Sequence, residues 1–387
     1  ESGARVAVRN SISRKDADFD VFARTLADLF VAGQALDWPA ITGDADRSVT
    51  LPKPAWTNEA HWTDSEEVRE YLKSTLPHPF LGRRQNQSGF SWHSELNTKA
   101  FPYLKDHRLQ SDKIFPGAGY MDMIVRVGRE LHGDKPLEIE NAQILDALFL
   151  PDDADILLSS LYDPTRQRAS VQSRQRDADD DWIARSQAFL RATDVPAPKA
   201  PAFDPTAKSV TEIPVDCAYD VDASLPFVNY GPAFQVIEQL WMSRGRVVAR
   251  MKAPDAILDQ FDRYEVHPAL LDGCLQLCDP RMTPARIRKG RQPGDPIYLP
   301  IGARQMRFYK RFPQEIMVHA KHRFDEATQT GEAEFIVTDL DGEVLAIAEG
   351  LAMQALPTKA AEAGEDGPKP QFARQVLSAL REPFVPA

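Results

Sequence analysis

The first regular pattern along the chain is helical. Between residues 16 and 33 apolar side chains recur three or four positions apart, and Gly33 closes the segment. This spacing predicts an amphipathic helix. Residues 35–63 then change to irregular chain rich in Pro and Trp, which predicts a linker whose aromatic rings pack on a neighbouring surface. A flexible linker with incidental tryptophans is the alternative.

From residue 78 the pattern changes to strands. Five segments place apolar and β-branched residues between turn formers: residues 89–96, 137–150, 154–162, 169–175 and 182–192. An antiparallel sheet accounts for them. One apolar segment, residues 116–131, interrupts the series and predicts a buried helix, and a Pro-rich stretch at residues 195–205 ends this half.

The second half repeats this order of elements. Strands are predicted around residues 235–253, a helix near 268–278, and further strands at 305–309, 315–324, 331–339 and 342–353. The order of the elements predicts two halves, each a sheet around one helix, although the two halves show little sequence identity to each other. Residues 357–370 have little to bury and predict an exposed linker, followed by a short helix at residues 372–380.

Composition narrows the class of protein. The chain has 387 residues, 43% hydrophobic and 27% charged, which is typical of a soluble globular protein with two or three packed units. Its net charge of -11 disfavours nucleic acid as a partner, and no apolar run is long enough to predict a membrane span. Three cysteines without a CxxC pair predict neither disulfides nor a metal site and indicate a reducing cytoplasm.

His107 is the first candidate for chemistry. A strand that starts at His107 would run toward the helix beginning at Gly117. The free amides at a helix start form a partial positive pole that can hold a thioester carbonyl as it gains negative charge. A base beside such a site is what abstraction of an α-proton requires. A hydrogen-bonded structural histidine is the alternative, since the chain has 8 histidines.

Asp272 is the second candidate. It lies inside an otherwise apolar helix, where a carboxylate is costly unless it is paired or protonated. A protonated carboxyl group there can give its proton to a leaving hydroxyl. Gln276 lies one helical turn further on the same face and can orient that group. Alternatively, Asp272 caps a helical turn or pairs with Arg281.

Two further segments are suggestive. In the turn at residues 230–234, the Tyr230 hydroxyl can reach a polar site while Phe234 anchors the core. Residues 281–291 form a basic run on an acidic chain. A solvated loop explains that run, and a docking surface for an acidic carrier protein is the alternative.

Together these segments resemble the dehydratase domains of modular and iterative polyketide synthases, also found in animal-type fatty acid synthases. Three motifs carry the resemblance in matching order: His-xxx-Gly-xxxx-Pro at residues 107–116, Tyr-Gly-Pro-x-Phe at 230–234 and Asp-xxx-Gln/His at 272–276. The likeness covers residues 78–356. Ser111 stands where the first motif has glycine, a substitution of modest cost where φ stays negative.

The resemblance implies an α+β fold, a double hotdog of two antiparallel sheets, each wrapped around a central helix. It divides the chain into an acyltransferase tail with a helical and irregular linker (residues 1–76), a first hotdog (77–200), a second hotdog (201–356) and a C-terminal linker (357–387). His107 of the first hotdog would then face Asp272 of the second.

The implied activity is dehydration of a 3-hydroxyacyl thioester to a 2-enoyl thioester, usually trans, within a multidomain synthase. His107 removes the α-proton and Asp272 protonates the departing hydroxyl. The amide of Gly117, with Pro116 before it, forms the oxyanion site.

Tyr230 and Gln276 complete the implied substrate site. No cofactor and no metal would be bound, because the thioester already acidifies the α-position, and the substrate would arrive on the phosphopantetheine arm of an acyl carrier protein. That carrier protein, neighbouring acyltransferase and reductase domains and a second copy of the chain are the implied partners, in the cytoplasm.

Two alternatives remain. Related double-hotdog domains act as product templates for cyclisation, as enoyl isomerases or as pyran-forming cyclases. A non-catalytic dimerisation scaffold is the other alternative, and Ser111 is its only support in the sequence. The second and third motifs match the sequence patterns of the family at every defined position and favour dehydration.

Overall fold

The structure is a computed structural model that describes residues 14, 18–43, 78–85, 89–109, 111–152, 155–176, 181–219, 228–243, 245–282, 297–325 and 330–356. The chain divides into two units, residues 1–68 and 69–387. The predicted C-terminal linker and helix lie outside the described residues, as does all of the basic run beyond residue 282.

The first unit holds two helices among its described residues. Helix α1 spans Asp18–Val31, which confirms the helix predicted from the apolar spacing. Helix α2 spans Trp38–Thr42, where irregular chain was predicted. The ring of Trp38 packs edge-on against Phe30 with ring centroids 5.3 Å apart, so one tryptophan of the predicted linker does find an aromatic partner. Residues 44–63 of that linker are outside the described ranges.

The second unit is built of strands around two longer helices. Its described strands are β1 Arg83–Arg84, β2 Ser91–Leu96, β3 His107–Leu109, β4 Asp112–Lys113, β5 Leu137–Ile144, β6 Ile156–Asp163, β7 Arg168–Gln175, β8 Ile183–Ala192, β9 Val210–Ile213, β10 Val228–Tyr230, β11 Ile237–Ser243, β12 Arg246–Lys252, β13 Ile297–Phe308, β14 Glu315–Asp325, β15 Thr330–Thr338 and β16 Val344–Leu356. Its helices are α3 Gly117–His132, α4 Asp216–Tyr219 and α5 Pro268–Leu277. Short 3-10 helices cover Pro102–Asp106, Pro232–Phe234, Asp255–Ile257, Phe261–Arg263 and Pro280–Met282.

The two halves share one antiparallel sheet in the order β1-β2-β6-β7-β8-β5-β13-β16-β15-β14-β12-β11-β9. Each half contributes its own sheet and helix, as predicted, but the two sheets are joined by hydrogen bonds between β5 and β13. At this joint a Cβ on Gly302 would lie 2.3 Å from the carbonyl oxygen of Ala142. The close approach of the two strands therefore requires glycine.

Strand β5 is shorter than the predicted segment at residues 137–150. It ends at Ile144, and the chain after it turns away to pair with residues 113–115. The amide of Phe115 donates to the carbonyl of Leu148 at 2.8 Å, and Ile114 bridges to Phe149. Residues 145–150 thus cover the start of α3.

The two central helices are buried to different extents. Helix α3 buries one face against β5–β8 and keeps Arg126 and Glu130 partly exposed on the other. All ten residues of α5 are buried, and this helix packs on β12 and β14 and against α3. None of the helices in the described ranges is long and apolar enough to cross a membrane.

A buried pair joins α3 to the start of α5. The Asp122 carboxylate accepts hydrogen bonds from His78 Nε2 at 2.7 Å and from the amide of Val266 at 2.9 Å. His78 Nδ1 accepts from the amide of Leu81, so the proton of this ring lies on Nε2. His78 and Asp122 are fully buried, and Arg126 of α3 also donates to Glu265 at 2.8 Å. These contacts fix where α5 begins.

A second, three-stranded sheet brings the halves together at another point. It has the order β10-β3-β4, and β10 of the second half pairs with β3 of the first. In this register Tyr230 lies opposite His107. The strand starting at His107 was predicted, whereas β10 and its pairing across the halves were not.

Candidate active site

The structure brings His107 and Asp272 together from opposite halves. His107 Nε2 lies 3.6 Å from Asp272 Oδ1, and both residues are buried. This distance exceeds that of a good hydrogen bond. The imidazole and the carboxyl group therefore face each other across a narrow gap and do not form a direct hydrogen bond.

The hydrogen bonds of His107 define its basic nitrogen. Its Nδ1 lies 2.8 Å from the carbonyl oxygen of Ile114. A carbonyl only accepts, so Nδ1 carries the proton and Nε2 of the neutral ring keeps its lone pair toward Asp272. The imidazole is tilted against the rings of Phe234 and Tyr230, with centroids 5.0 and 5.8 Å away. These contacts hold the ring in the orientation that a base requires.

Asp106, which sequence reasoning did not identify, holds the turn beside His107. Its carbonyl accepts from the amide of Gly231 at 2.7 Å, and its Oδ2 accepts from the amide of Ala233 at 3.0 Å. A Cβ on Gly231 would lie 2.6 Å from the Asp106 side chain. The glycine of the Tyr-Gly-Pro-x-Phe turn is therefore needed for this close contact. The only signal in the sequence was the position of Asp106, directly before His107.

Asp272 is the fifth residue of α5 and is held by Gln276. The Gln276 amide group donates to Asp272 Oδ2 at 3.0 Å and to the carbonyl of Phe234 at 3.1 Å. The side chain that caps α5 is that of His267, which accepts from the amide of Ala269 at 3.2 Å. Asp272 therefore does not cap the start of α5, and the other alternative, a pair with Arg281, involves a side chain outside the described ones.

Gly117 is the first residue of α3 and lines the same space as His107 and Asp272. The first amides of a helix have no acceptor within it, so the Gly117 N–H can serve a developing negative charge. A Cβ here would lie 2.6 Å from Ile144 Cδ1, which explains the glycine. Pro116 is the buried residue before the helix and does not line the cleft. Its fixed φ suits the start of the helix.

These residues line a cleft of about 740 Å³, including its part open to solvent. Tyr230 and Gln276 also line it, as predicted from the motifs. Most of the remaining wall is apolar, formed by Leu109, Ile114, Ile144, Val228, Leu299 and Met353. Such a wall suits an acyl chain.

A buried ion pair at the same cleft was missed by sequence reasoning. Asp146 lines the cleft, and its Oδ2 lies 3.1 Å from Arg185 Nη1. Arg185 also donates to the carbonyl of Ala147 and to Ser173 Oγ, at 2.7 and 2.8 Å. Both charged residues are buried. Asp146 falls in the segment where a strand was predicted, so its position could not be anticipated.

Two further predictions concern Ser111 and the cysteines. Ser111 is exposed in the turn between β3 and β4 and does not line the cleft, which weakens its value as support for a scaffold. Cys274 and Cys278 are free and buried, and burial raises the pKa of both thiols. Among the described residues, no three His, Cys, Asp or Glu side chains form a group that could hold a metal ion.

Comparison with known sequences matches both halves. The family profile described as "polyketide synthase dehydratase domain" matches residues 78–176, and that described as "polyketide synthase dehydratase N-terminal domain" matches residues 210–363. A mycocerosic acid synthase-like polyketide synthase of Mycolicibacterium smegmatis is 28% identical over 351 residues, covering 85% of this chain. Polyketide synthase GfsE of Streptomyces halstedii is 25% identical over 383 residues, covering 94% of this chain. The chain spans only 16% and 10% of the length of these relatives.

Two solved dehydratase domains share this fold. The dehydratase domain from the CurF module of curacin polyketide synthase has a TM-score of 0.60 at 23% identity, covering 72% of this chain and 98% of that domain. The corresponding domain from the CurJ module has a TM-score of 0.62 at 20% identity, covering 74% and 99%. These likenesses confirm the predicted double-hotdog fold. The two profile matches, over residues 78–176 and 210–363, show that the chain belongs to the dehydratase domains of polyketide synthases.

Proposed function

We propose that this chain removes water from a 3-hydroxyacyl thioester and releases a 2-enoyl thioester, with His107 as base and Asp272 as acid. The observation that carries the proposal is the approach of His107 Nε2 to Asp272 Oδ1, at 3.6 Å, in an apolar cleft. The lone pair of His107 Nε2, from the first half, faces the carboxyl group of Asp272, from the second half. Elimination of water requires a base at the α-carbon of the substrate and an acid at the hydroxyl group of the neighbouring carbon.

The proposed reaction begins at the carbon next to the thioester. His107 Nε2 takes the α-proton, and the electron pair of that C–H bond moves toward the thioester oxygen. The Gly117 amide stabilises this developing charge. The pair then forms the carbon–carbon double bond while the bond to the 3-hydroxyl breaks.

Asp272 completes the proposed elimination. Its Oδ2 accepts from Gln276, which leaves Oδ1 to carry the proton that the departing hydroxyl takes up to form water. The base then holds one proton and the acid lacks one, so transfer between them restores the starting state. The Ile114 carbonyl accepts from Nδ1 and so keeps Nε2 directed toward the substrate throughout the proposed reaction.

The proposal also includes the carrier protein and the neighbouring domains that would act together with this chain. The substrate would arrive on the phosphopantetheine arm of an acyl carrier protein, and neighbouring acyltransferase and reductase domains would supply and consume the acyl group. Dimerisation and the domain limits at residues 76, 200 and 356 remain predictions. No metal or bound cofactor is needed for the proposed step, because the thioester itself acidifies the α-position.

The test is mass spectrometry of carrier-bound 3-hydroxyacyl substrates incubated with the wild type, His107→Ala and Asp272→Asn. We expect loss of water with the wild type and a rate at least about a hundred-fold lower in each variant. His319→Ala is the control, since this buried histidine lies outside the cleft. A folded wild type that leaves both hydroxyl stereoisomers unchanged, over several chain lengths, would show that dehydration is the wrong assignment.

A further inference from the structure

One hydroxyl group at the cleft wall has no partner within the described structure. Tyr120 is 1% exposed and lines the cleft, and its Oη makes no hydrogen bond there. A buried hydroxyl without a partner loses its bond to water and gains nothing in return. Such a group in a ligand cleft indicates that the ligand supplies the partner.

Other buried tyrosines of this chain are satisfied by the protein itself. Tyr103 and Tyr264 share a hydrogen bond between their hydroxyl groups, with the oxygens 3.0 Å apart. Tyr162 donates to the carbonyl of Leu190 at 3.3 Å. These three residues do not line the cleft. Among the described residues, the buried tyrosine that lacks a partner is thus the one that lines the cleft.

The position of Tyr120 is fixed from two sides. It follows Gly117 by three residues on α3, so both residues lie on the same face of the helix. Its ring packs against Phe115 with centroids 5.0 Å apart. The Tyr120 side chain is therefore fixed at the cleft wall, where its hydroxyl can select for an atom of the substrate.

The charges around Tyr120 keep its hydroxyl protonated. Burial raises the pKa of Tyr120 well above its usual value, Asp146 raises it further, and Arg185 opposes both. The hydroxyl is thus a donor over the whole physiological range. Because Asp146 is already paired with Arg185, this wall favours an uncharged acceptor over an anion.

We propose that the Tyr120 hydroxyl donates a hydrogen bond to an uncharged oxygen atom of the substrate, other than the thioester oxygen and the 3-hydroxyl. That oxygen can be a hydroxyl or keto group further along the acyl chain, or an amide carbonyl of the pantetheine arm. The proposal rests on the proposed dehydratase function for the identity of the ligand.

The first test compares Tyr120→Phe with Tyr162→Phe, which also removes one buried hydroxyl but away from the cleft. Each variant receives 3-hydroxyacyl thioesters with and without an additional oxygen on the acyl chain, on pantetheine and on a simple alkyl thiol. We expect kcat/KM of Tyr120→Phe to fall about ten-fold only for thioesters that contain the recognised oxygen. If the effect depends on the additional acyl oxygen, the recognised oxygen belongs to the acyl chain of the substrate. If the effect depends on the thiol, the recognised oxygen belongs to the pantetheine arm.

The second test measures binding without turnover. Isothermal titration calorimetry uses thioether analogues that lack the 3-hydroxyl and cannot lose water, with the same pairs of acyl chain and thiol. We expect Kd to rise about ten-fold for Tyr120→Phe with the analogues that contain the recognised oxygen, and to stay constant for Tyr162→Phe.

The outcomes separate this inference from the dehydratase proposal. An equal effect of Tyr120→Phe on every substrate and analogue, or no effect on any, would overturn the role of Tyr120 even if the wild type dehydrates its substrate. A wild type without turnover would overturn dehydration, and the calorimetric comparison would still decide whether Tyr120 binds an oxygen. Thermal melting adds a check, since Tyr120→Phe removes an unpaired hydroxyl and should not lower Tm in the absence of ligand, whereas Tyr162→Phe should.

Discussion

The two central helices occupy corresponding places in the two halves, yet they contribute to the candidate site in different ways. Helix α3 presents its first amide at Gly117, while the proposed base of its half, His107, lies outside the helix on β3. Helix α5 is buried along its whole length and carries the proposed acid, Asp272, within it. One half therefore supplies its reactive side chain from a strand, and the other from a helix.

This difference shows what places each group. The position of His107 depends on contact between the halves, because β3 pairs with β10 and Asp106 holds the turn at Gly231. The position of Asp272 depends on its own helix and on Gln276 within it. The base is thus more sensitive than the acid to any change in how the halves meet.

The largest effect is expected from breaking the joint between the helices. Asp122→Ala removes the acceptor of both His78 and the Val266 amide, all of which are buried. Each of these two buried donors then lacks an acceptor at a cost of about 1–3 kcal/mol, so the free energy of unfolding should fall by about 2–6 kcal/mol. Urea unfolding, followed by circular dichroism, measures this change.

Arg126→Ala is the matched control for this joint. Arg126 lies on the same helix and contacts the neighbouring Glu265, but its side chain is 23% exposed. Partly exposed ion pairs contribute about 1 kcal/mol or less. If the two variants lose the same stability, the buried pair does not hold the helices together as proposed.

The second effect is a pH dependence that arises from α5. Burial lowers the pKa of His267 to about 3, so the folded state keeps this ring neutral where the unfolded chain takes up a proton. The contribution of His267 to stability is fully present above the ordinary histidine pKa of about 6.5. It is lost as the pH falls toward the pKa of His267 in the folded state. From His267 alone, the free energy of unfolding should drop by about 2 kcal/mol between pH 7 and pH 5.

His267→Asn tests this pH dependence. Asparagine retains an acceptor for the amide of Ala269 but does not titrate. Urea midpoints of this variant should change less with pH than those of the wild type. His319, whose pKa burial lowers to about 4, remains in both proteins and leaves some slope in each. Equal slopes would mean that His267 is not the group responsible.

Local patterns in the sequence predicted the longer helices, most of the long strands and the motifs of this fold. Apolar spacing identified α3 and α5, and alternation identified the long strands, because both depend on neighbours a few residues apart. His107 and Asp272 were found by their motifs. The pairing of β10 with β3 was not found, because three residues show no measurable period and the partner lies more than a hundred residues away.

The missed residues share that cause. Asp106 serves the site through the amides of Gly231 and Ala233, and Arg185 through Asp146, so each acts on residues distant in sequence. The joining of the sheets depends on glycine at position 302, where a Cβ would lie 2.3 Å from the carbonyl oxygen of Ala142, and no local pattern encodes that contact. What the sequence left open are therefore the contacts between segments.

The third prediction concerns the side of the base. Asp106→Ala leaves the buried amide of Ala233 without an acceptor, which costs between about 1 and 2 kcal/mol. Because the turn then loosens beside His107, kcat for dehydration should fall by about ten-fold while KM changes little. Asp106→Asn, which keeps an acceptor oxygen, should retain most of the activity. A loss as large in Asp106→Asn would point to the charge of Asp106 rather than to this hydrogen bond.

The fourth and smallest effect concerns the side of the acid. Gln276→Ala removes the donor to Asp272 and to the Phe234 carbonyl and should cost about 1 kcal/mol of stability. Its kcat should fall because the carboxyl group is no longer oriented. Gln276→His, which restores a ring N–H donor and matches the other residue of the family motif, should recover part of that loss.

Combining the two sides shows whether they are held independently. Asp106 binds the turn at Gly231 and Ala233, and Gln276 binds the next residue of the same turn, Phe234, whose ring contacts His107. Base and acid thus share one support although they belong to different halves. A double-mutant cycle of Asp106→Ala and Gln276→Ala, measured as kcat, should therefore show a coupling of about 0.5 kcal/mol or more. Additivity within about 0.3 kcal/mol would instead show that each half holds its own reactive group, and that the shared turn only packs between them.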